Sequence, residues 1–153
     1  MKIGFIGLGN MAQAMIGGIL NRKLAAPDEI FGSAKTAETE GRVGEKYGIC
    51  TTGDNRETAR KADLLFLAVK PQFFEEVIAQ IRDLDLDGKM IVSIAPGKSM
   101  SWLEEKFSRG LSFARAMPNT PALVSEGCTA ICFSPAVNPQ QRKAVCDVLE
   151  SFG

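Results

Sequence analysis

A chain of 153 residues, 45% of them apolar and 24% charged, has the length and balance of one ordinary globular domain. Its 18 basic side chains cancel its 18 acidic ones, so no net field favours nucleic acid or an anionic membrane. No run approaches the ~18 consecutive apolar residues of a membrane span, and the opening MKIGFIGLG lacks a small-residue cleavage site, so the expected compartment is the cytoplasm.

The first apolar run, KIGFIGL, is expected to form a strand buried on both faces. NMAQAMIGGILNRK follows with Met11, Ala14, Met15, Gly18 and Ile19 at three- and four-residue spacings, the pattern of an amphipathic helix. DEIFGS reads as a second strand, and TAETEGRVGEKYG as a polar helix ended by Gly48. GIC is too short to assign. ADLLFLAVKP is a strongly apolar strand stopped by Pro71, and QFFEEVIAQIRDL carries Phe73, Val77, Ile81 and Leu84 on one stripe, expected to be core.

The same rhythm continues. KMIVSIAPG is a strand with a Pro-Gly stop; SMSWLEEKF is a helix capped by Ser99 or Ser101, packed on the sheet by Trp102 and Leu103. LSFARAMP and CTAICF complete the strands. Asn138 before Pro139 is a cap followed by proline at the first helical position, opening a helix over residues 139–152. Strands alternating with helices of this length argue for βαβ units and a mostly parallel sheet. RDLDLDGK lacks the bidentate glutamate and ligand spacing of a calcium loop and reads as a solvated turn. Cys50, Cys128, Cys132 and Cys146 form no C-x-x-C pair, and the absence of histidine rules out a His-containing zinc site. Buried free thiols are expected, with CTAICF as a buried strand.

Gly7-x-Gly9-x-x-Ala12 closes the first strand and opens the first helix, the context that a dinucleotide fingerprint requires. Gly7 permits the tight turn, Gly9 lets a pyrophosphate approach the backbone, and the small Ala12 lets helix and strand pack. The helix start adds unpaired N–H groups and partial positive charge. The expected fold class is therefore α/β, a Rossmann-type doubly wound sheet with helices on both faces.

An NAD site usually carries an acidic residue at the end of the second strand. Here Ser33, Lys35 and Thr36 stand at that place, while Asp28 and Glu29 lie at the strand's other end. A carboxylate repels a 2′-phosphate, whereas an ammonium and a hydroxyl bond to it. NADP(H) is the expected cofactor, with NAD(H) left open.

FLAVKPQ (residues 66–72) and RAMPNTPALVSEG (residues 115–127) closely resemble the pyrroline-5-carboxylate reductase family, in which a strand ending in A-V-K-P and a later M-P-N-T-P-A segment border the nicotinamide. The resemblance covers essentially the whole chain. One departure is Pro96, in a stretch where the family more often has two small residues before the glycine. The resemblance implies reduction of 1-pyrroline-5-carboxylate to L-proline with NADPH. It also implies a helical C-terminal domain, for dimerisation and much of the substrate pocket, that residues 1–153 do not contain. The 153 residues are thus expected to be the cofactor-binding part of a homo-oligomeric enzyme, with no metal and no nucleic-acid or membrane partner.

Residue by residue, the resemblance implies that Ile6, Gly7, Leu8, Gly9, Asn10 and Met11 wrap the pyrophosphate. Ser33, Lys35 and Thr36 meet the adenosine ribose and its phosphate, with Asn55 of GDNRE near the adenine ribose. Ala68, Val69, Lys70 and Pro71 line the nicotinamide ribose, and Ile94 and Ala95 the nicotinamide. Lys70 and Asn119 are the candidates at the mouth shared with substrate; as alternatives, Lys70 is an exposed loop cation and Asn119 stabilises the turn between Pro118 and Pro121. Arg115 is left unassigned. Two other functions stay open: a related NADP-linked reductase or β-hydroxyacid dehydrogenase, and a non-catalytic nucleotide-binding module.

Overall fold

Seven strands form one sheet in the order β3-β2-β1-β4-β5-β6-β7 in the computed structural model, which describes residues 1–119 and 127–153. The strands are β1 (Ile3–Ile6), β2 (Ile30–Ser33), β3 (Cys50–Thr52), β4 (Leu64–Leu67), β5 (Met90–Ser93), β6 (Ser112–Met117) and β7 (Ala130–Phe133). All pairings are parallel except β6 with β7. The helices are α1 (Asn10–Asn21), α2 (Ala37–Tyr47), α3 (Asn55–Lys61), α4 (Phe74–Ile81), α5 (Met100–Phe107) and α6 (Pro139–Glu150). The α/β, doubly wound expectation is met, with helices on both faces.

The central strands carry continuous apolar runs because both faces are covered. Alternate side chains enter opposite layers. Phe5, Phe66, Met90 and Val92 pack with Met15, Ile16 and Ile19 of α1 and Val145 and Val148 of α6. Ile6, Leu65, Leu67 and Ile91 pack with Phe74, Ile78 and Ile81 of α4 and Leu103 and Phe107 of α5. Phe5 and Phe66 face each other in register across β1 and β4, with ring centroids 5.0 Å apart and planes 9° from parallel.

Local signals explain the boundaries. Thr36, Asp54, Ser99 and Asn138 each accept a hydrogen bond from a first-turn amide of the helix that follows. Asn138 and Gln141 complete a reciprocal cap around Pro139. Gly48 ends α2 in the left-handed region, φ 71°. The loop before β5 is held by Arg109, whose guanidinium donates to the carbonyls of Arg82 and Leu84 and to Asp87.

Three expectations need correction. Phe73 is half-buried and stands outside the core; a one-turn 3-10 helix over Pro71–Phe73 shifts the stripe, so Phe74, Val77, Ile78 and Ile81 are the buried set. The CTAICF segment is an edge strand with one face open, so Cys128 and Cys132 are exposed. Cys50 is likewise exposed and Cys146 half-buried, the other two departures from buried thiols.

Replacing Phe66 by alanine removes the stacked partner of Phe5 at the sheet's centre. Urea unfolding of Phe66→Ala is expected to show a loss of about 3–5 kcal/mol; a loss below ~1 kcal/mol would mean that the stack does not anchor the layer formed with α1 and α6.

Candidate functional site

The chain reverses its winding between β1 and β4, and a ligand crevice in such a sheet lies beyond the carboxyl ends of the strands at that switch point. A cleft of about 620 Å³ opens there. Its floor is the turn from β1 into α1. Gly7 has φ +101°, and its N–H donates to the Ser33 carbonyl at 2.9 Å. A side-chain carbon at Gly7 would stand 2.7 Å from the Ala68 carbonyl oxygen, so glycine is required by conformation and by space. Gly9 differs. Its backbone is extended, at φ −77° and ψ −170°, and a side-chain carbon there would meet no protein atom within 4 Å. It would project into open space at the cleft.

The helix beyond, α1, starts without a side-chain cap, its first-turn amides carrying partial positive charge. Its first backbone bond runs from the Gln13 N–H to the Gly9 carbonyl. The preceding amides of the first turn have no intrahelical acceptor. The Gln13 side chain donates to the Leu8 carbonyl at 3.0 Å and steadies the turn.

Of the residues expected at the pyrophosphate, Gly7, Leu8, Gly9 and Asn10 line the cleft. Ile6 is fully buried behind it, and Met11 is half-buried against the core. Ser33, Lys35 and Thr36 line it at the end of β2, and Asn55 at the start of α3. Ser33 is buried, and its hydroxyl donates to the Asn55 side-chain carbonyl at 2.7 Å. The Asn55 amide donates in turn to the Gln80 side chain at 2.7 Å. Ala68, Val69 and Lys70 line the other wall, while Pro71 begins the 3-10 turn beyond it.

Ile94 and Ala95 follow β5 but are not part of the cleft lining; Ile94 packs on one core layer and Ala95, 4% exposed, on the other. Asn119 is exposed, and its side-chain oxygen accepts from the Cys128 N–H at 2.9 Å. Thr120, Pro121 and the rest of the M-P-N-T-P-A run lie outside the described residues. So does the far side of the turn expected between Pro118 and Pro121.

Gln13, Thr39, Arg42, Phe73, Glu76 and Gln80 also line the cleft and were not among the expected residues. Thr36, Thr39 and Arg42 recur every third position, a spacing that puts them on one side of α2 and was the available signal. The cleft's charged lining among the described residues is Lys35, Arg42 and Lys70 against Glu76, a positive balance suited to an anionic ligand. The Lys35 ammonium lies 3.2 Å from the centre of the Phe73 ring, close to the opposite wall.

Arg56 braces the wall that carries Gln80. Its guanidinium donates to the Gln80 carbonyl at 2.8 Å and to Asp83 at 2.6 Å. That hydrogen bond from Arg56 holds the Asp83 carboxyl below its ordinary 3.8.

The chain is similar to known proteins along its whole length. Residues 2–97 match the family described as NADP oxidoreductase coenzyme F420-dependent. The chain is 33% identical over 152 residues to a pyrroline-5-carboxylate reductase of Escherichia coli K12, covering 99% of this chain and 56% of that protein. It is 34% identical over 154 residues to that of Corynebacterium melassecola, covering 99% and 57%. Among solved structures, a pyrroline-5-carboxylate reductase from Coxiella burnetii superposes with a TM-score of 0.95 at 31% identity, covering 99% of this chain and 56% of that one. A Plasmodium falciparum pyrroline carboxylate reductase with NADP bound superposes with a TM-score of 0.86 at 32% identity, covering 100% and 55%. The chain thus spans about 56% of the length of the curated relatives. The resemblance drawn from A-V-K-P and M-P-N-T-P is borne out.

The depressed Asp83 value fixes the sign of one pH effect. A carboxyl lowered by folding contributes stability above its unfolded value, lost as pH falls through the folded one. Stepped-pH urea unfolding is therefore expected to show a shallower acid decline below 3.8 for Asp83→Asn than for the parent chain; identical slopes would show that the pair contributes nothing.

Proposed function

The chain belongs to the family of NADP oxidoreductases described as coenzyme F420-dependent, and on that premise we propose that residues 1–153 are the NADP(H)-binding part of a pyrroline-5-carboxylate reductase. In this reading the whole protein reduces 1-pyrroline-5-carboxylate to L-proline and works as a homo-oligomer in the cytoplasm. The observation that carries the reading is the crook at Gly9, open to a cleft at the sheet's switch point and free of any protein atom that a side chain would meet. The reductases to which the chain is similar supply the substrate.

The residues fit the cofactor's chemistry. Gly7, Leu8, Gly9 and Asn10 form a backbone seat for the diphosphate, supported from behind by the buried Ile6 and the half-buried Met11. Ser33, Lys35, Thr36 and Asn55 face the adenosine half. Ala68, Val69 and Lys70 border the nicotinamide ribose, with Pro71 just beyond them, while Ile94 and Ala95 lie in the core after β5, outside the cleft lining. When bound, the reduced nicotinamide supplies the hydride that the imine carbon accepts. An imine that arrives protonated needs no strong general acid, in keeping with a sequence without histidine. Lys70 gives the mouth a cation for the substrate carboxylate, and Asn119 is tied by its side-chain oxygen to the Cys128 N–H. The chain's own task is to hold both reactants at near-attack distance and to keep water out.

Calorimetric titration is expected to show NADPH binding about 10–100-fold more tightly than NADH, the effect of one or two charge-assisted hydrogen bonds. Equal affinities would remove the NADP preference. Gly9→Val, at an extended position that any residue adopts, should abolish binding of both while leaving the melting temperature nearly unchanged; undiminished binding would overturn the diphosphate seat. NADPH oxidation by these 153 residues with 1-pyrroline-5-carboxylate should be slow, and turnover matching a whole reductase would refute the proposed division of labour.

A further inference from the structure

Resting on that reading, the cleft's hydrogen-bond directions divide its adenosine end into two parts of opposite polarity. The Ser33 hydroxyl has one proton, and it goes to the Asn55 side-chain carbonyl at 2.7 Å, an oxygen that can only accept. Asn55 is itself oriented by donating to the Gln80 side chain at 2.7 Å. Ser33 therefore offers an incoming ligand only lone pairs. A phosphate monoester dianion also offers only lone pairs, so the two do not hydrogen-bond. A ribose hydroxyl, which carries a proton to give, matches Ser33. The expectation that Ser33 meets the adenosine phosphate is thus narrowed to the ribose.

Donors for a phosphate stand on the neighbouring wall. The Thr36 side chain accepts from the Thr39 N–H at 3.3 Å, and its hydroxyl donates to the Thr39 hydroxyl oxygen at 3.0 Å. That leaves the Thr39 proton for a ligand. Arg42 lies one turn further along the same side of α2 and lines the same cleft. Neither Arg42 nor Lys35 takes part in an ion pair among the described residues. Lys35 instead rests on the Phe73 ring, a contact that an anion arriving beside it can outcompete. Glu76 is the carboxylate facing these cations from α4.

We infer that Arg42, with Lys35 and the Thr39 hydroxyl, holds the 2′-phosphate of NADP(H), and that Arg42 sets the preference for the phosphorylated dinucleotide. The guanidinium fork matches two phosphate oxygens at once, which the Lys35 ammonium cannot do. Ser33 and Asn55 read the adjoining ribose hydroxyl, present in both dinucleotides.

The test titrates NADPH and NADH into the parent chain, Arg42→Ala and Ser33→Ala, with circular dichroism to confirm folding. Arg42 is exposed on a helix, so its truncation leaves the fold intact. Arg42→Ala is expected to weaken NADPH about 10–100-fold and to leave NADH within about twofold, a difference that shrinks as salt is raised. Ser33→Ala is expected to weaken both dinucleotides by similar factors. Loss confined to NADPH in Ser33→Ala, or an Arg42→Ala that affects both ligands equally or neither, overturns this inference while the cofactor reading stands. A parent chain that binds neither dinucleotide overturns both.

Discussion

The backbone reversal at Gly7 is the constraint on which the cleft depends. Its φ of +101° and its approach to the Ala68 carbonyl exclude any side chain. The same turn is tied from both sides: the Gly7 N–H bonds to the Ser33 carbonyl, and the Ala68 N–H to the Ile6 carbonyl at 2.8 Å. The carboxyl ends of β1, β2 and β4 are thereby locked to one another, and all three walls of the cleft are set by one crook. Rigid core packing behind it, with Phe5 on Phe66 and Ile6 fully buried, keeps that geometry from relaxing.

Division of labour follows from this arrangement. The first turn of α1 supplies backbone donors, which suit a diphosphate regardless of what is attached to it. In the proposed reading, discrimination falls to side chains at the ends of β2 and β4 and on the first two turns of α2. Charge there is carried on flexible stems, Lys35, Arg42 and Lys70, around a floor built from main chain. A rigid seat with adjustable cations at its rim can grip a common ligand core and still choose between closely related ligands.

Much of the fold was legible in the sequence, for identifiable reasons. The apolar runs of β1, β4 and β5 are buried on both sides and need no alternation to be recognised. Asn138-Pro139 and Ser99 announced their helices through capping chemistry alone. The helix α3 escaped notice because NRETARK has no apolar stripe: only Thr58 and Ala59 are buried, and Asp54 was its one strong signal. The three-residue β3 is too short to carry a pattern. β7 misled because its sequence is apolar while its position at the sheet's edge leaves alternate residues exposed. At the site, the glycine crook and the end of β2 were legible because they are local. Gln80 and Glu76 were not, since they reach the cleft only through the packing of α4 against α3, which no short motif encodes. Arg42 lay in view at a three-residue spacing from Thr36 and Thr39, yet spacing does not reveal which side of a polar helix faces a cleft.

The central claim is that the main chain at the α1 start receives a dinucleotide's diphosphate. Two-dimensional amide NMR of the isotope-labelled chain, recorded as NADPH is added, tests it most directly. The account predicts large, saturable shifts for the amides of Gly9, Asn10 and Met11, together with those of the neighbouring β2 and β4 ends. Saturable binding that leaves those three amides unmoved, with shifts confined to another surface, would contradict it.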